Sequence, residues 1–254
     1  MAQNRKPAGK NAVASTKSSK KPFYIGLAVA AIAGVAALSY ITGQAAKNRI
    51  ITVDPNLPSV ESQGYVMGSP DAKVELVEHG DFECPGCGTY AELTEPEIRA
   101  EYINTGKIRF RFIDYPLPGH QNTLNASNAA ACADEQGKFW EMHDLIFGTQ
   151  YEWSSQTKGP SWTDPDKHFK KIARQIPNLD GAKFDDCLSS RRMMGKVQAH
   201  LRLSESRGVR STPTFFLGNQ MFGGMAIDQL KRTLDAAIAA AAGPSPATKT
   251  TKKP

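Results

Sequence analysis

The sequence predicts an α/β domain in which a small mixed sheet carries helices on its faces, with a helical block inserted in its middle and one apolar helix ahead of it. Three observations predict it. A strand-helix-strand pattern spans residues 73–113, the stretch 124–208 reads almost wholly as helix, and a strand-strand-helix pattern follows over 214–241. Between the first strand and its helix stands a Cys-Pro-Gly-Cys run, residues 84–87.

Taken in order, residues 1–21 hold Arg5, Lys6, Lys10, Lys17, Lys20 and Lys21 and no acid, amid Ser, Ala, Asn and Gly, and read as a disordered basic leader on the cytoplasmic side. From Phe23 to Gly43 no residue is charged over 21 positions, enough for one membrane-spanning helix, so 22–43 is assigned as a transmembrane anchor. Basic residues ahead of it predict a cytoplasmic N-terminus, with the rest of the chain outside the cytoplasm. A cleaved signal peptide is the competing reading, with Gly43-Gln44-Ala45 as a small-x-small site. The length of the apolar run favours the uncleaved anchor. Residues 44–64, with Pro55 and Pro58, read as a linker, and 65–70 as an entry turn. One domain follows over 65–242, its helical insertion covering about 120–207, and 243–254 form a loose tail.

The formal charge of +6 misleads about partners. The two tails hold nine basic residues and no acids, which leaves 22 basic against 25 acidic residues between them, a net of −3. Charge therefore gives no support for nucleic-acid binding.

In the strand over 73–79, Val74, Leu76 and Glu78 share one face, which places Glu78 toward the core six residues before Cys84. A helix is expected over 89–104, ending at Gly106. A second strand, 107–113, alternates Ile108, Phe110 and Phe112 with Arg109 and Arg111 and stops at Asp114-Tyr115-Pro116. Helices are expected over 124–147, broken or bent near Gly137, then 166–176 behind Thr163-Asp164-Pro165, and 181–208. The chain then returns to strand at 214–217, turns at Gly218-Asn219-Gln220, pairs back through Met221-Phe222, and ends in a helix from Ile227 to about 241.

The placement of Cys84 and Cys87 marks them as a redox pair. A thiol at the start of a helix meets unpaired backbone N–H groups and the positive end of the dipole, so its thiolate is favoured near neutral pH. Cys84 is expected to be the exposed nucleophile, and Cys87, one turn inward, to resolve the mixed disulfide. Pro85 suits an early helical position that needs no donor. The weaker alternatives are half of a zinc site, for which Cys132 and Cys187 stand far apart and singly, and a permanently closed structural disulfide.

Several stretches together resemble the DsbA-like thiol-disulfide oxidoreductases of the thioredoxin fold over about residues 60–242. They are Cys84-Pro85-Gly86-Cys87, the core-facing Glu78, the segment Ser127-Asn128-Ala129-Ala130-Ala131-Cys132-Ala133, and Gly208 through Phe216 with Thr212-Pro213. The resemblance implies a thioredoxin fold with an inserted helical subdomain. It implies a cis peptide at Pro213 facing the cysteine pair, with the backbone of Thr212 offered to an incoming peptide. It favours Glu78 as a proton relay for Cys87 over a half-buried surface acid, and Cys132 with Cys187 as a second, structural disulfide. Gly86 departs from the His of the strongly oxidising members, which leaves His79 and Asp81 as candidates to tune Cys84, although His79 reads first as a satisfied strand-end residue.

Phe139, Trp140, Met142, His143, Leu145 and Phe147 read as packing. No metal, nucleotide or flavin is expected, so the dithiol itself is the reagent and no cofactor is assigned. The implied activity is a dithiol oxidase of the bacterial envelope, a monomer acting on exported proteins with free cysteines and reoxidised by a quinone-linked membrane partner. The same chemistry in reverse, as a reductase or isomerase, is the alternative, and a metallochaperone using the two thiols as soft ligands is the third class.

Overall fold

The computed structural model describes residues 32–34, 51–52, 63–158 and 164–243. The leader, the linker residues 53–62, the tail beyond 243 and all but three residues of the apolar run lie outside these, and 32–34 are helical. Among the described residues no helix is long and apolar enough to cross a membrane.

The sheet has six strands, β1 (Ile51–Thr52), β2 (Tyr65–Met67), β3 (Glu75–Gly80), β4 (Arg109–Asp114), β5 (Thr214–Leu217) and β6 (Gln220–Gly223), in the order β1-β6-β5-β3-β4-β2. Only β3 and β4 run parallel, joined by a helical crossover, and every other neighbour is antiparallel. That crossover, α1, is built of four consecutive stretches, Pro85–Thr89, Tyr90–Thr94, Glu95–Ile98 and Arg99–Ile103, of which the second and fourth are π-helical turns. The insertion comprises α2 (Thr123–Asp134), α3 (Phe139–Gly148), α4 (Gln150–Trp153), α5 (Ser155–Lys158), α6 (Pro165–Ala173), α7 (Gly181–Ser190) and α8 (Met194–Ser206), and α9 (Ile227–Ala242) follows β6. This is a thioredoxin-type mixed sheet with a large helical insertion.

The strand alternation read from the sequence decides the two faces. Leu76, Phe110, Phe215 and Phe222 pack with Tyr90, Ile98 and Tyr102 of α1 and with Leu230 and Leu234 of α9. Val77, Ile113 and Phe216 pack on the other face with Val209 and Leu201. A third apolar cluster joins Phe82 and Phe112 to the insertion, through Phe147, Met142, Trp153, Phe169 and Phe184. Each fully buried aromatic there stabilises the fold by about 1.5–3 kcal/mol relative to exposure.

Several expectations need correction. Residues 65–67 are the edge strand β2 rather than part of a turn, and Ile51–Thr52, expected in the linker, pair with β6. The crossover helix starts at Pro85, four residues earlier than expected, because the proline at its first position needs no donor. The break near Gly137 is real, with that residue at φ +68°, and a further break falls at Arg191, φ +57°, inside the stretch read as one helix. At α6 the expected cap is present, with the Asp164 side chain accepting from the Lys167 N–H. Cys132 and Cys187 are joined by a disulfide, S–S 1.95 Å, and both are fully buried between α2 and α7.

Candidate active site

Cys84 occupies the cap position of α1 with extended backbone, φ −72° and ψ 123°, and its carbonyl accepts from the Gly88 N–H at 3.1 Å. Both cysteines of the pair are free thiols. The Cys84 thiol is held down to about 5 against the opposing effect of burial, first by the hydrogen bond that Cys87 donates to it, then by the Thr212 side chain and by the backbone N–H groups of Cys87 and Gly86 at the helix start. Its own S–H faces the Thr212 carbonyl at 3.5 Å. A carbonyl only accepts, so that contact favours the thiol form, and the donors outweigh it. Cys87 is pushed well up, by burial first and then by the donation to Cys84 and the charge of Glu78. The two thiols thus differ in kind, one ready as a thiolate and one held as a thiol.

Cys84 is less open than expected. It is 8% exposed against 0% for Cys87, because Thr212-Pro213 and the insertion close over it. The Thr212–Pro213 peptide is cis, and a Cβ built on Gly86 would lie 3.3 Å from Pro213 Cδ and 3.7 Å from Cys84 Sγ, so Pro213, Gly86 and Cys84 form one contact surface. From the insertion, Gln150 Nε2 donates to the carbonyls of Phe82 and Cys84 at 2.8 and 3.0 Å.

Glu78 lies on β3 between Phe112 of β4 and Phe215 of β5, 1% exposed. Burial pushes its carboxyl well up, the charges of Glu95 and Cys84 push it further, and a hydrogen bond with Cys87 works against them. It therefore stands on the core side, in contact with the inner thiol, rather than at a half-covered surface.

His79 and Asp81 do not take the tuning role the sequence left open to them. His79 points to the opposite face, its Nδ1 2.7 Å from Ser204 Oγ, and because the Ser204 hydroxyl donates to the His200 carbonyl at 2.8 Å, the His79 ring donates. Burial, with Arg207 and His200 nearby, pushes its pKa down to about 3. Asp81 is a buried bracket. Its carboxylate accepts from the Glu83 N–H and Thr123 hydroxyl on one oxygen and from the Leu117 N–H and His120 ring on the other, at 2.6–2.8 Å. Only its backbone meets the pair, with its N–H 3.4 Å from Cys87 Sγ and its carbonyl accepting from the Cys84 N–H at 3.0 Å.

Sequence reasoning passed over Glu83, Gln150 and Glu95. Glu83, fully buried beside Cys84, accepts from the Asn122 N–H at 2.7 Å and from both the N–H and the hydroxyl of Ser155. Its adjacency to Cys84 was the only signal available, since its partners lie 39 and 72 residues away.

A buried thiol beside a buried acid, with an acidic thiol at the rim, is an arrangement for thiol-disulfide exchange. Residues 61–236 match the family described as Thioredoxin. The chain belongs to the thioredoxin family. It is 27% identical over 170 residues to the Probable disulfide bond formation protein D of Bacillus anthracis, covering 66% of this chain and 76% of that protein. Over 191 residues it is 31% identical to the Na(+)/H(+) antiporter NhaA 3 of Salinispora tropica, covering 74% of this chain but 27% of the antiporter. The fold is similar to that of oxidised BdbD from Bacillus subtilis, with a TM-score of 0.64 and 22% identity over 76% of this chain and all of that one.

Proposed function

We propose that this thioredoxin-family protein is a thiol-disulfide oxidoreductase that introduces disulfides into exported proteins through Cys84 and Cys87. The observation that carries the reading is the contrast between the two thiols, with Cys84 held down to about 5 and Cys87 pushed up by burial. The name of the Bacillus anthracis relative supports the same direction.

In the oxidised protein a substrate thiolate attacks Cys84 Sγ, the Cys84–Cys87 bond breaks, and Cys87 leaves and takes up a proton from Glu78. A second substrate thiol, as thiolate, attacks its partner sulfur in the mixed disulfide and Cys84 leaves as a thiolate. The substrate loses two electrons and the dithiol gains them. A low Cys84 pKa makes it the better leaving group and stabilises the reduced protein, and both effects favour donating the disulfide. In the reverse direction the Cys87 thiol passes its proton to Glu78 as it attacks the mixed disulfide, so Glu78 serves as acid or base with the direction of flow. Thr212 and Pro213 beside Cys84 offer the surface on which a substrate backbone docks.

In this reading the run 22–43 anchors the domain in the inner membrane with 65–242 outside the cytoplasm, and a quinone-linked membrane protein reoxidises it. The apolar run and the basic leader support that placement. The reduction potential against glutathione tests the direction, with an expected value more oxidising than the thioredoxin value of about −270 mV. A value below about −250 mV assigns a reductase instead. Cys87→Ser is expected to trap mixed disulfides at Cys84, and an empty trap with exported protein extracts overturns the exchange reading.

A further inference from the structure

Glu95, in the third stretch of α1, is 1% exposed, whereas Glu92, Glu97 and Glu101 of the same crossover are exposed. Its Oε1 accepts from Arg99 Nε at 2.7 Å and from Arg99 Nη2. Arg99 also grips both oxygens of Asp144 on α3, at 2.6 and 2.7 Å, and Asp144 in turn meets His143 Nδ1 at 2.9 Å. Polar atoms of Glu95, His143 and Asp144 converge within 4.8 Å of one another, with the Arg99 guanidinium supplying the positive charge between the two carboxylates.

This cluster borders the space that holds Glu78. The two register neighbours of Glu78 are Phe112 and Phe215. The His143 ring packs edge-on against Phe112 at 5.2 Å, and the Tyr90 ring packs against Phe215 at 4.7 Å. Glu78 Oε2, Tyr90 Oη, Glu95 Oε2 and His143 Nε2 are all buried and make no hydrogen bond to the protein. Glu78 and three neighbouring side chains thus leave four unpaired polar atoms inside an aromatic core, where an isolated group of this kind costs about 1–3 kcal/mol.

We propose that Glu95 is a positioning residue for the exchange reaction, forming with Glu78 one buried carboxyl pair and acting on Cys87 only through Glu78. The proposal rests on the reading of Cys84 and Cys87 as an exchange pair. As the Cys87 thiol attacks a mixed disulfide, the Cys87–Cys84 bond forms, the bond from Cys84 to substrate breaks, the substrate leaves as a thiolate with the electron pair, and the proton of Cys87 goes to Glu78. The Glu95 charge raises the proton affinity of Glu78 and so strengthens that base. The groups that face the pair are Cys84, Cys87, Tyr90 and Arg99 from α1, and His143 and Asp144 from α3. Arg99 bridges Glu95 to the half-exposed Asp144.

Glu95→Gln retains an oxygen for Arg99 and removes the charge. In single-turnover resolution of a mixed disulfide preformed at Cys84, followed across pH 4–9, the expected result is a slower plateau and a pH midpoint shifted about one unit toward acid, the size of a coupled pair. Alkylation of Cys84 is expected to keep its midpoint. In a Glu78→Gln background, adding Glu95→Gln is expected to change nothing further, because the route through Glu78 is already gone. A wild-type profile in the single variant, or an equal shift in the Glu78→Gln background, overturns the proposal. Should Glu95→Gln fail to fold, carboxyl-labelled glutamate NMR on the unaltered protein decides it, since the pair must titrate in two linked steps and two independent titrations overturn it. If Cys84 forms no mixed disulfide at all, the exchange reading fails first and separately.

Discussion

Glu83 Oε1 accepts both the backbone N–H and the hydroxyl of Ser155, each at 2.5 Å, and so fastens the residue before Cys84 to the first turn of α5. The other oxygen takes the N–H of Asn122 at the start of α2. One buried side chain thus pins the redox loop to the insertion at two places. Glu83→Ala leaves those donors buried without an acceptor, and the expected loss is about 3 kcal/mol in a denaturant melt, from two or more charge-assisted bonds. A loss under 0.5 kcal/mol is the contrary outcome.

Cys84 alkylation is expected to rise with pH around a midpoint near 5 and to stay flat above about 7. The linkage has a definite sign. The folded thiol titrates far below the unfolded value of about 8.5, so the reduced protein gains stability relative to the oxidised one as pH rises from about 5 to about 8.5, and loses that gain as pH falls through 5. Paired melts of the two redox forms across this range test it, and a constant gap argues against a depressed thiol.

Gly86→His places a Cβ 3.3 Å from Pro213 Cδ, which requires a small displacement of that ring, and brings an imidazole beside Cys84. The variant is expected to fold, to lower the Cys84 midpoint and to move the reduction potential upward, as added positive charge stabilises the reduced thiolate. An unchanged potential would show that the residue at 86 does not set the poise here.

The Cys132–Cys187 bridge closes a loop of sequence separation 55. A crosslink of that span is worth about 4 kcal/mol in the chain-entropy account, with real values often smaller. Replacing both cysteines by Ala is expected to lower the melting temperature while the alkylation profile of Cys84 holds. A large shift in that profile would make the bridge a redox relay.

Much of this arrangement was legible in the sequence because it depends on short-range pattern. Alternation on β3 put Glu78 on the core side, and the position of Cys84 before Pro85 put it at a helix start. What escaped reading depends on residues far away in the chain. The cover over Cys84 comes from Gln150 and Thr212, 66 and 128 residues on. Burial of Glu95 depends on α3 packing against α1, which no local periodicity reports, and the two-residue strand at Ile51–Thr52 is too short to have a period. His79 gives the reverse lesson, since neighbours in sequence on a strand face opposite ways, and nearness to Cys84 along the chain did not bring it near in space.

The outermost positions at both margins of the sheet, β1 against β6 and β2 against β4, are taken by residues from the same stretch, 51–67. A protein trimmed to begin at Gly68 would therefore bare the ladders of β4 and β6 together. Bare ladders invite another chain to add a strand, so such a trimmed form is expected to self-associate even with the redox centre intact.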